Sequence, residues 1–502
     1  MSPERVAASI EAYEKLKQKM ALDAQISHIK HVLTWDRAVT MPRGAKLSRN
    51  KDMAVLSALM QEGMTNAEMS QWIEDAAFAE LDEWDDRNLE RIVEKYRHAR
   101  MLPVEAVRDR AEKRERCFSE YEVAHKENDW KHVRPYFEES FAAYLRCAKI
   151  ASDQLGISPY DYQLMRYSRT NSIATIDPLF NLLKEHIPLL LQKIISVQKD
   201  VQILPIQIGY DQQHNVAEKF ITAMGYDFNH GHMALAPSAF SSGWRQDARI
   251  ATRYEPGTIK TIFSAIHEAG HAIYKQNLPA KWEGQPVGGD SDVSLHESQS
   301  LFFEKQIGFS APGLRLIHSL LVEEEPIFGR AYSADEFVTR MHHVRPGLVR
   351  IHADEVTYPL HIVLRYEIER DLFEENIRVA DIPEIWRAKV KDYLGLDVPD
   401  DVSGCLQDRH WFKGKFGYFP VYAQGAMYAA QLFHTVRSRF EDTDQLIEDG
   451  NMRPITRWLN ENIHRWGQFY EAPELLQRAT GIPPSAEFLL DHLKARYLKL
   501  DG

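Results

Sequence analysis

Ile266-His267-Glu268-Ala269-Gly270-His271-Ala272 reads H-E-x-x-H, and the residues before it place that pattern on a helix. Ile259, Ile262, Phe263 and Ile266 fall at the i, i+3, i+4, i+7 spacing of a buried helical face. Glu255-Pro256-Gly257 reads as the turn ahead of the helix, Thr258 as its N-cap and Pro279 as its stop. Positions four apart lie one above the other, so His267 and His271 can present both imidazoles to one metal ion. Glu268 is then placed to reach a metal-bound water instead of the metal.

A metal site needs a third protein ligand, and the five-residue pattern does not supply it. Ser294-Leu295-His296-Glu297-Ser298-Gln299-Ser300 does. It follows a short loop at 284–290 that contains Gly288-Gly289, and it opens a second amphipathic segment with Leu301, Phe302 and Ile307. A helical hairpin of that length returns Glu297 to the side of the two histidines. The expectation is a catalytic zinc centre of His267, His271 and Glu297, with a fourth position open.

The rest of the chain sets bounds. Its 502 residues are 44% hydrophobic and 27% charged, the composition of a globular protein. A net charge of −12 and a pI near 6.0 leave no basic footprint for nucleic acid or acidic membranes. Cys117, Cys147 and Cys405 are scattered and odd in number, with no C-x-x-C pair, which favours a reducing compartment. Met1-Ser2-Pro3-Glu4-Arg5-Val6 runs straight into a charged amphipathic segment without a signal-peptide core, and no run is long enough to span a bilayer. A cytoplasmic protein is predicted.

Apolar periodicity predicts helices over 10–20, 47–60, 67–78, 83–101, 104–127 and 130–155, with a turn at Met41-Pro42-Arg43-Gly44 and a stop at Gly156. Charge runs such as 108–116 sit opposite apolar positions and read as solvated faces. No repeat or low-complexity linker divides the chain, so residues 1–502 are expected to form a single, mainly α-helical domain enclosing a cleft. Asp247-Ala248-Arg249-Ile250-Ala251-Thr252-Arg253-Tyr254 alternates at period two and reads as a strand entering the metal helix. Two readings of it stand open: an edge that pairs with an extended peptide, or a strand that only packs on the helix. Residues 355–372 read as a helix kinked at Pro359. Gly404-Cys405-Leu406-Gln407-Asp408-Arg409-His410-Trp411 mixes polar and aromatic residues unusually for a loop, and leads through 416–422 into a small-residue helix at 423–432.

Together these stretches resemble the thermostable (Taq-type) metallocarboxypeptidase family along nearly the whole chain. Leu33-Thr34-Trp35-Asp36 and Met41-Pro42-Arg43-Gly44-Ala45 are similar to the family's N-terminal hairpin. A D-x-R element with a threonine three residues on (Asp247, Arg249, Thr252), H-E-x-x-H, H-E-S-Q (His296 to Gln299), R-x-x-A-D (Arg350, Ala353, Asp354) and G-x-x-Q-D-x-H-W (Gly404 to Trp411) follow in the family's order. The resemblance implies an almost wholly helical, saddle-shaped subunit with a deep groove and a small β-sheet beside the metal. It also implies a homodimer, and removal of single residues from peptide C-termini with broad preference. Two stretches depart from the family pattern. Ser238-Ala239-Phe240 stands where the family carries His-Pro-Phe, so Ser238 offers a shorter, uncharged group toward substrate. Tyr167-Ser168-Arg169-Thr170 replaces Tyr-Glu-Pro-Gly on one groove wall.

Glu268 is expected to take a proton from the attacking water and pass it to the leaving amine. His410 and Tyr422 are the expected donors to the oxyanion, with Tyr418 in reserve and Gln407, Asp408 and Trp411 fixing the His410 tautomer. A free C-terminal carboxylate calls for arginine's planar fork; Arg350 is the first choice and Arg249 the second. Asp354 and Glu355 are candidates for orienting a zinc histidine. Zinc is the expected ion, with cobalt a possible substitute. The competing functions are an oligoendopeptidase or peptidyl-dipeptidase on the same scaffold, and a catalytically silent peptide-binding homologue. The intact His267, Glu268, His271 and Glu297 argue against the last.

Overall fold

A computed structural model describes residues 3–198 and 208–498. It is 71% helical with one small sheet. The first lobe is α1 (Pro3–Val39), α2 (Lys46–Thr65), α3 (Ala67–Ala76) and α4 (Glu83–Arg100). Then come the hairpin of α5 (Val104–Glu127) and α6 (Trp130–Leu155), α7 (Pro159–Met165), α8 (Ile173–Val197) and α9 (Tyr210–Met224). Strands β1 (Gly231–Leu235), β2 (Phe240–Trp244) and β3 (Asp247–Thr252) lead into α10 (Lys260–Gln276) and α11 (Val293–Leu301). A π-helical turn, Phe302–Gly308, prolongs α11. The remainder is α12 (Ala311–Glu324), α13 (Ile327–Ala331), α14 (Ala334–Met341), α15 (Tyr358–Phe373), α16 (Ile382–Leu394), α17 (Pro420–Arg439), α18 (Thr443–Glu448), α19 (Arg453–Asn462), α20 (Ala472–Thr480) and α21 (Glu487–Leu498).

Helix α6 ends at Gly156 in the left-handed conformation, as glycine there allows. The helix predicted over 10–20 is part of a much longer α1. Pro359 does not kink a helix; it sits in the first turn of α15, where its missing N–H costs nothing.

The sheet order is β1-β3-β2, with β1 parallel and β2 antiparallel to β3. β3 is therefore the central strand and cannot lend an edge to a peptide; the edges belong to β1 and β2. Ala248 and Ile250 on one face of β3 are buried in the main apolar core. On the other face Arg249 binds Asp247 through two hydrogen bonds, 2.6 and 2.8 Å, and lies 5.0 Å over the Trp35 ring of α1. The Asp247-Arg249 pair thus fastens α1 to the sheet.

Most buried apolar side chains join one core, while Ala12, Tyr13, Leu16, Met20, Met64, Met69, Ala76 and Ile92 form a separate one in the N-terminal lobe. Between the lobe and the body lies a cavity of about 530 Å³, bordered by α1, α4, the C-terminal end of α10 and the 283–292 loop. It shares Lys275 and Asp290 with the surroundings of the two histidines, although the three candidate ligands do not line it. Among the described residues no helix is long and apolar enough to cross a membrane, and the three cysteines are free and buried.

Candidate active site

Helix α10 presents His267 and His271 from one face, and α11 crosses directly over it. The crossing depends on Gly270: a Cβ there would meet the Gln299 carbonyl oxygen at 2.6 Å and Ser300 Cα at 2.7 Å. Only a glycine in the second variable place of H-E-x-x-H lets the two backbones approach this closely. Asp292 caps α11 through the Leu295 N–H, 2.9 Å, and is itself held by the Ser168 hydroxyl. The stretch that departs from the family pattern at 167–170 therefore helps to seat the helix carrying Glu297.

Glu297 Oε1 lies 3.9 Å from His267 Nε2, and Oε2 lies 3.4 Å from His271 Nε2. One donor atom from each of the three residues falls within 4.8 Å of the others. Ligands about 2.0–2.2 Å from a tetrahedral ion stand roughly 3.3–3.6 Å apart, so the group needs only a small contraction to hold one. The imidazole orientations are already set. His271 Nδ1 meets the His296 carbonyl at 3.1 Å, and His267 Nδ1 meets Glu304 Oε2 at 2.8 Å. In both rings this leaves Nε2 turned toward Glu297. Burial alone would push His267 down, yet Glu304, Glu297 and Glu268 outweigh it and raise its pKa to about 10. The site's field favours positive charge.

Glu268 is buried, which pushes its carboxyl up, with His267 and His271 opposing; the Ser241 hydroxyl of β2 also bonds it. Gly425 of α17 stands behind Glu297, the third candidate ligand. A Cβ at that position would lie 2.9 Å from Glu297 Cγ and 3.0 Å from its Cβ. Gly425→Ala is expected to displace Glu297 and weaken divalent-metal binding by about tenfold or more, with little loss of helical circular dichroism. Competition with a chromophoric chelator measures it; unchanged affinity would show that Glu297 is not held against α17.

Arg350, Asp408, His410, Tyr418 and Tyr422 come together on the other side. Arg350 Nε and Nη2 donate to Asp408 Oδ1 at 3.1 and 2.8 Å, and Nη1 donates to the Tyr358 hydroxyl at 3.2 Å. Arg365, fully buried, donates to the other oxygen of Asp408 at 2.5 Å. Both guanidiniums hold Asp408 well below the usual carboxylate range despite its burial. Tyr422 OH lies 3.4 Å from His410 Nε2, and Tyr418 stacks on the His410 ring at 5.7 Å. Burial pushes the Tyr418 phenol up to about 12 and that of Tyr422 higher, with the Glu297 charge adding to both. Burial pushes His410 down, keeping it neutral near pH 7.

Several expected partnerships are corrected. Of the three expected tautomer partners Asp408 alone approaches the His410 ring, at 3.6 Å from Nδ1, since Gln407 serves Arg350 and Arg365 and Trp411 serves Glu369. Glu369 is fully buried and also accepts from Tyr160 and the Gly417 N–H, so it clamps the loop that carries His410 and Tyr418. Neither Asp354 nor Glu355 orients a metal histidine. Asp354 accepts from the Val356 and Thr357 N–H groups, and Glu355 faces His492, Arg496 and Tyr497. The orienting carboxylate is Glu304, which the sequence reading missed. Its signal was present, seven residues after Glu297 on a continuing helical segment. Arg249 is engaged by Asp247 and Trp35, as above, and Ser238 is exposed in the connection between β1 and β2.

A helix-borne H-E-x-x-H completed by a glutamate from the next helix is the site of a metallopeptidase. The family model described as carboxypeptidase Taq (M32) metallopeptidase matches residues 15–497, and the chain belongs to that family of metallocarboxypeptidases. It is 32% identical over 500 residues to "Carboxypeptidase 1" of Bacillus subtilis (strain 168), covering 98% of this chain and 99% of that one. "Thermostable carboxypeptidase 1" of Pyrococcus furiosus is 31% identical over 501 residues, covering 97% and 99%. Among solved structures, Trypanosoma cruzi metallocarboxypeptidase 1 superposes with a TM-score of 0.94 at 32% identity, covering 97% of this chain and 99% of that one. The Pyrococcus furiosus carboxypeptidase superposes at 0.93 and 30%, covering 97% and 99%. Membership implies a divalent metal, which the two imidazoles and one carboxylate suit.

Proposed function

We propose that this chain is a zinc-dependent carboxypeptidase that releases single residues from the free C-termini of peptides with broad preference. The observation that carries this reading is a charge imbalance. Arg350 and Arg365, both buried, share the one carboxylate of Asp408, which leaves a surplus positive charge in a dry cluster. Of the five N–H groups of Arg350, three are spent, on Asp408 and Tyr358. The remaining two, one on each terminal nitrogen, make the planar fork that a carboxylate fits. A substrate C-terminus balances the cluster; an endopeptidase has no use for it.

His267, His271 and Glu297 would hold zinc, which would supply Lewis acidity and lower the pKa of a water beside it to about 7. Glu268 takes the proton of the attacking water and delivers it to the leaving amine. Tyr422 and His410, with Tyr418 beside them, donate to the oxyanion; burial keeps both phenols protonated for that task. Ser238, exposed in the connection between β1 and β2, offers a hydroxyl where relatives are expected to carry histidine. Cobalt is a workable substitute for zinc with this donor set. A homodimer and a cytoplasmic location belong to the same reading, the first from family resemblance and the second supported by three free cysteines.

Removal and return of the metal test it. Dialysis against a chelator should abolish release of C-terminal residues, and stoichiometric zinc or cobalt should restore it, whereas magnesium, which prefers all-oxygen sites, should not. Full activity in protein shown by elemental analysis to be metal-free would overturn the reading.

A further inference from the structure

The end of α21 reaches back to the π-helical turn that carries Glu304. Arg496 Nη2 donates to the Lys305 carbonyl at 2.8 Å, and Nη1 donates to Glu355 Oε2 at 2.7 Å. Glu355 also binds His492 Nε2 at 3.0 Å and the Tyr497 hydroxyl at 2.8 Å, so three side chains of one helix converge on it. Next to this contact the Lys305 ammonium meets Glu304 Oε1 at 2.7 Å, and Glu304 Oε2 meets His267 Nδ1 at 2.8 Å. A run of hydrogen bonds and ion pairs, passing through the Lys305 backbone, therefore joins the C-terminal helix to one of the imidazoles of the site.

The geometry of the turn shows why such a tie is needed. A π-helical turn is wide and intrinsically unfavourable, and with its i to i+5 bonding the last five carbonyls lack partners within the segment. Lys305 owns one of these in Phe302–Gly308. Arg496 satisfies it while its other terminal nitrogen is anchored on Glu355, whose side chain is 8% exposed. In such a dry setting, removing one member of a pair leaves its partner as an uncompensated charge. Arg496 thereby fixes the turn, and the turn fixes which way the Glu304 carboxylate faces.

We propose that Arg496, anchored by Glu355, is a positioning residue for metal binding: it holds the π-helical turn so that Glu304 orients the His267 ring, which couples metal affinity to the docking of α21. The proposal rests on the reading of His267 as a metal ligand. It separates Arg496 from an ordinary structural arginine, because the effect should pass through Glu304.

Zinc affinity of the full-length chain is measured by chelator competition for wild type, Glu304→Gln, Arg496→Met and the double variant, with cobalt absorption spectra taken alongside. Glu304→Gln should weaken zinc about 10- to 100-fold and Arg496→Met about tenfold, both with an altered cobalt spectrum. The double variant should be no weaker than Glu304→Gln alone. Leu459→Ala, in the buried face of α19 and away from this contact, should lower Tm and leave zinc affinity unchanged. Glu355→Gln keeps the shape and removes the anchor, so it carries the test if Arg496→Met does not fold. Wild-type affinity and cobalt spectrum in Arg496→Met or Glu355→Gln, or losses that multiply in the double variant, would overturn the proposal. Failure of the wild-type chain to bind zinc would overturn it together with the metal reading beneath it.

Discussion

Glu268→Gln is expected to lower kcat by about 10²- to 10⁴-fold, the share a general base contributes, with KM and zinc affinity near wild type. The substitution is nearly isosteric and leaves the Ser241 contact possible, so the site should keep its shape. What it removes is the capacity to accept a proton. Burial raises the Glu268 carboxyl, which moves it toward the range where a base works near neutral pH, while the histidines on its own helix keep it ionisable. A variant within tenfold of wild-type kcat would mean that another group takes the proton, and His410, neutral and 3.4 Å from the Tyr422 hydroxyl, would be the first to examine.

Arg350→Met should have the second large effect, and a more selective one. Losing a buried, charge-assisted contact costs about 2–4 kcal/mol, which is roughly 30- to 10³-fold in kcat/KM for peptides with a free C-terminus. Fold stability should fall much less. Removing Arg350 leaves Asp408 paired with Arg365, so the variant cluster is neutral without substrate. C-terminally amidated peptides, poor substrates for the wild type, should be cleaved no worse by the variant. Equal losses for acid and amide would show that Arg350 acts on the shape of the Phe419 and Tyr422 wall it lies over, 5.5 and 5.4 Å away, instead of on the carboxylate.

The meeting of His267, His271 and Glu297 was legible because its information is local. The i, i+4 spacing of His267 and His271 and the loop length before Glu297 decide the geometry, and Gly270 supplies the close crossing the hairpin needs. Most helices were legible for the same reason, from apolar periodicity and caps. What escaped depends on packing between distant segments. A period-two pattern identifies β3 as a strand but cannot say that β1 and β2 flank it on both sides. Pro359 looks the same in the first turn of a helix as in its middle until the helix start is known. Asp354 and Glu355 sit beside the Arg350 element in sequence, yet Glu355 turns toward α21, more than a hundred residues later. The π-helical turn that brings Glu304 to His267 has no signature in residue pattern, and the surplus charge at Asp408 needs Arg350 and Arg365 to meet in space.

Mass spectrometry of a short unblocked peptide and its C-terminal amide, each incubated with the zinc-loaded chain, addresses the carboxylate-anchored reading directly. The expected result is a ladder of products shortened one residue at a time from the free C-terminus, absent for the amide. Cleavage of the amide at an internal bond, at the rate seen for the free acid, would contradict it.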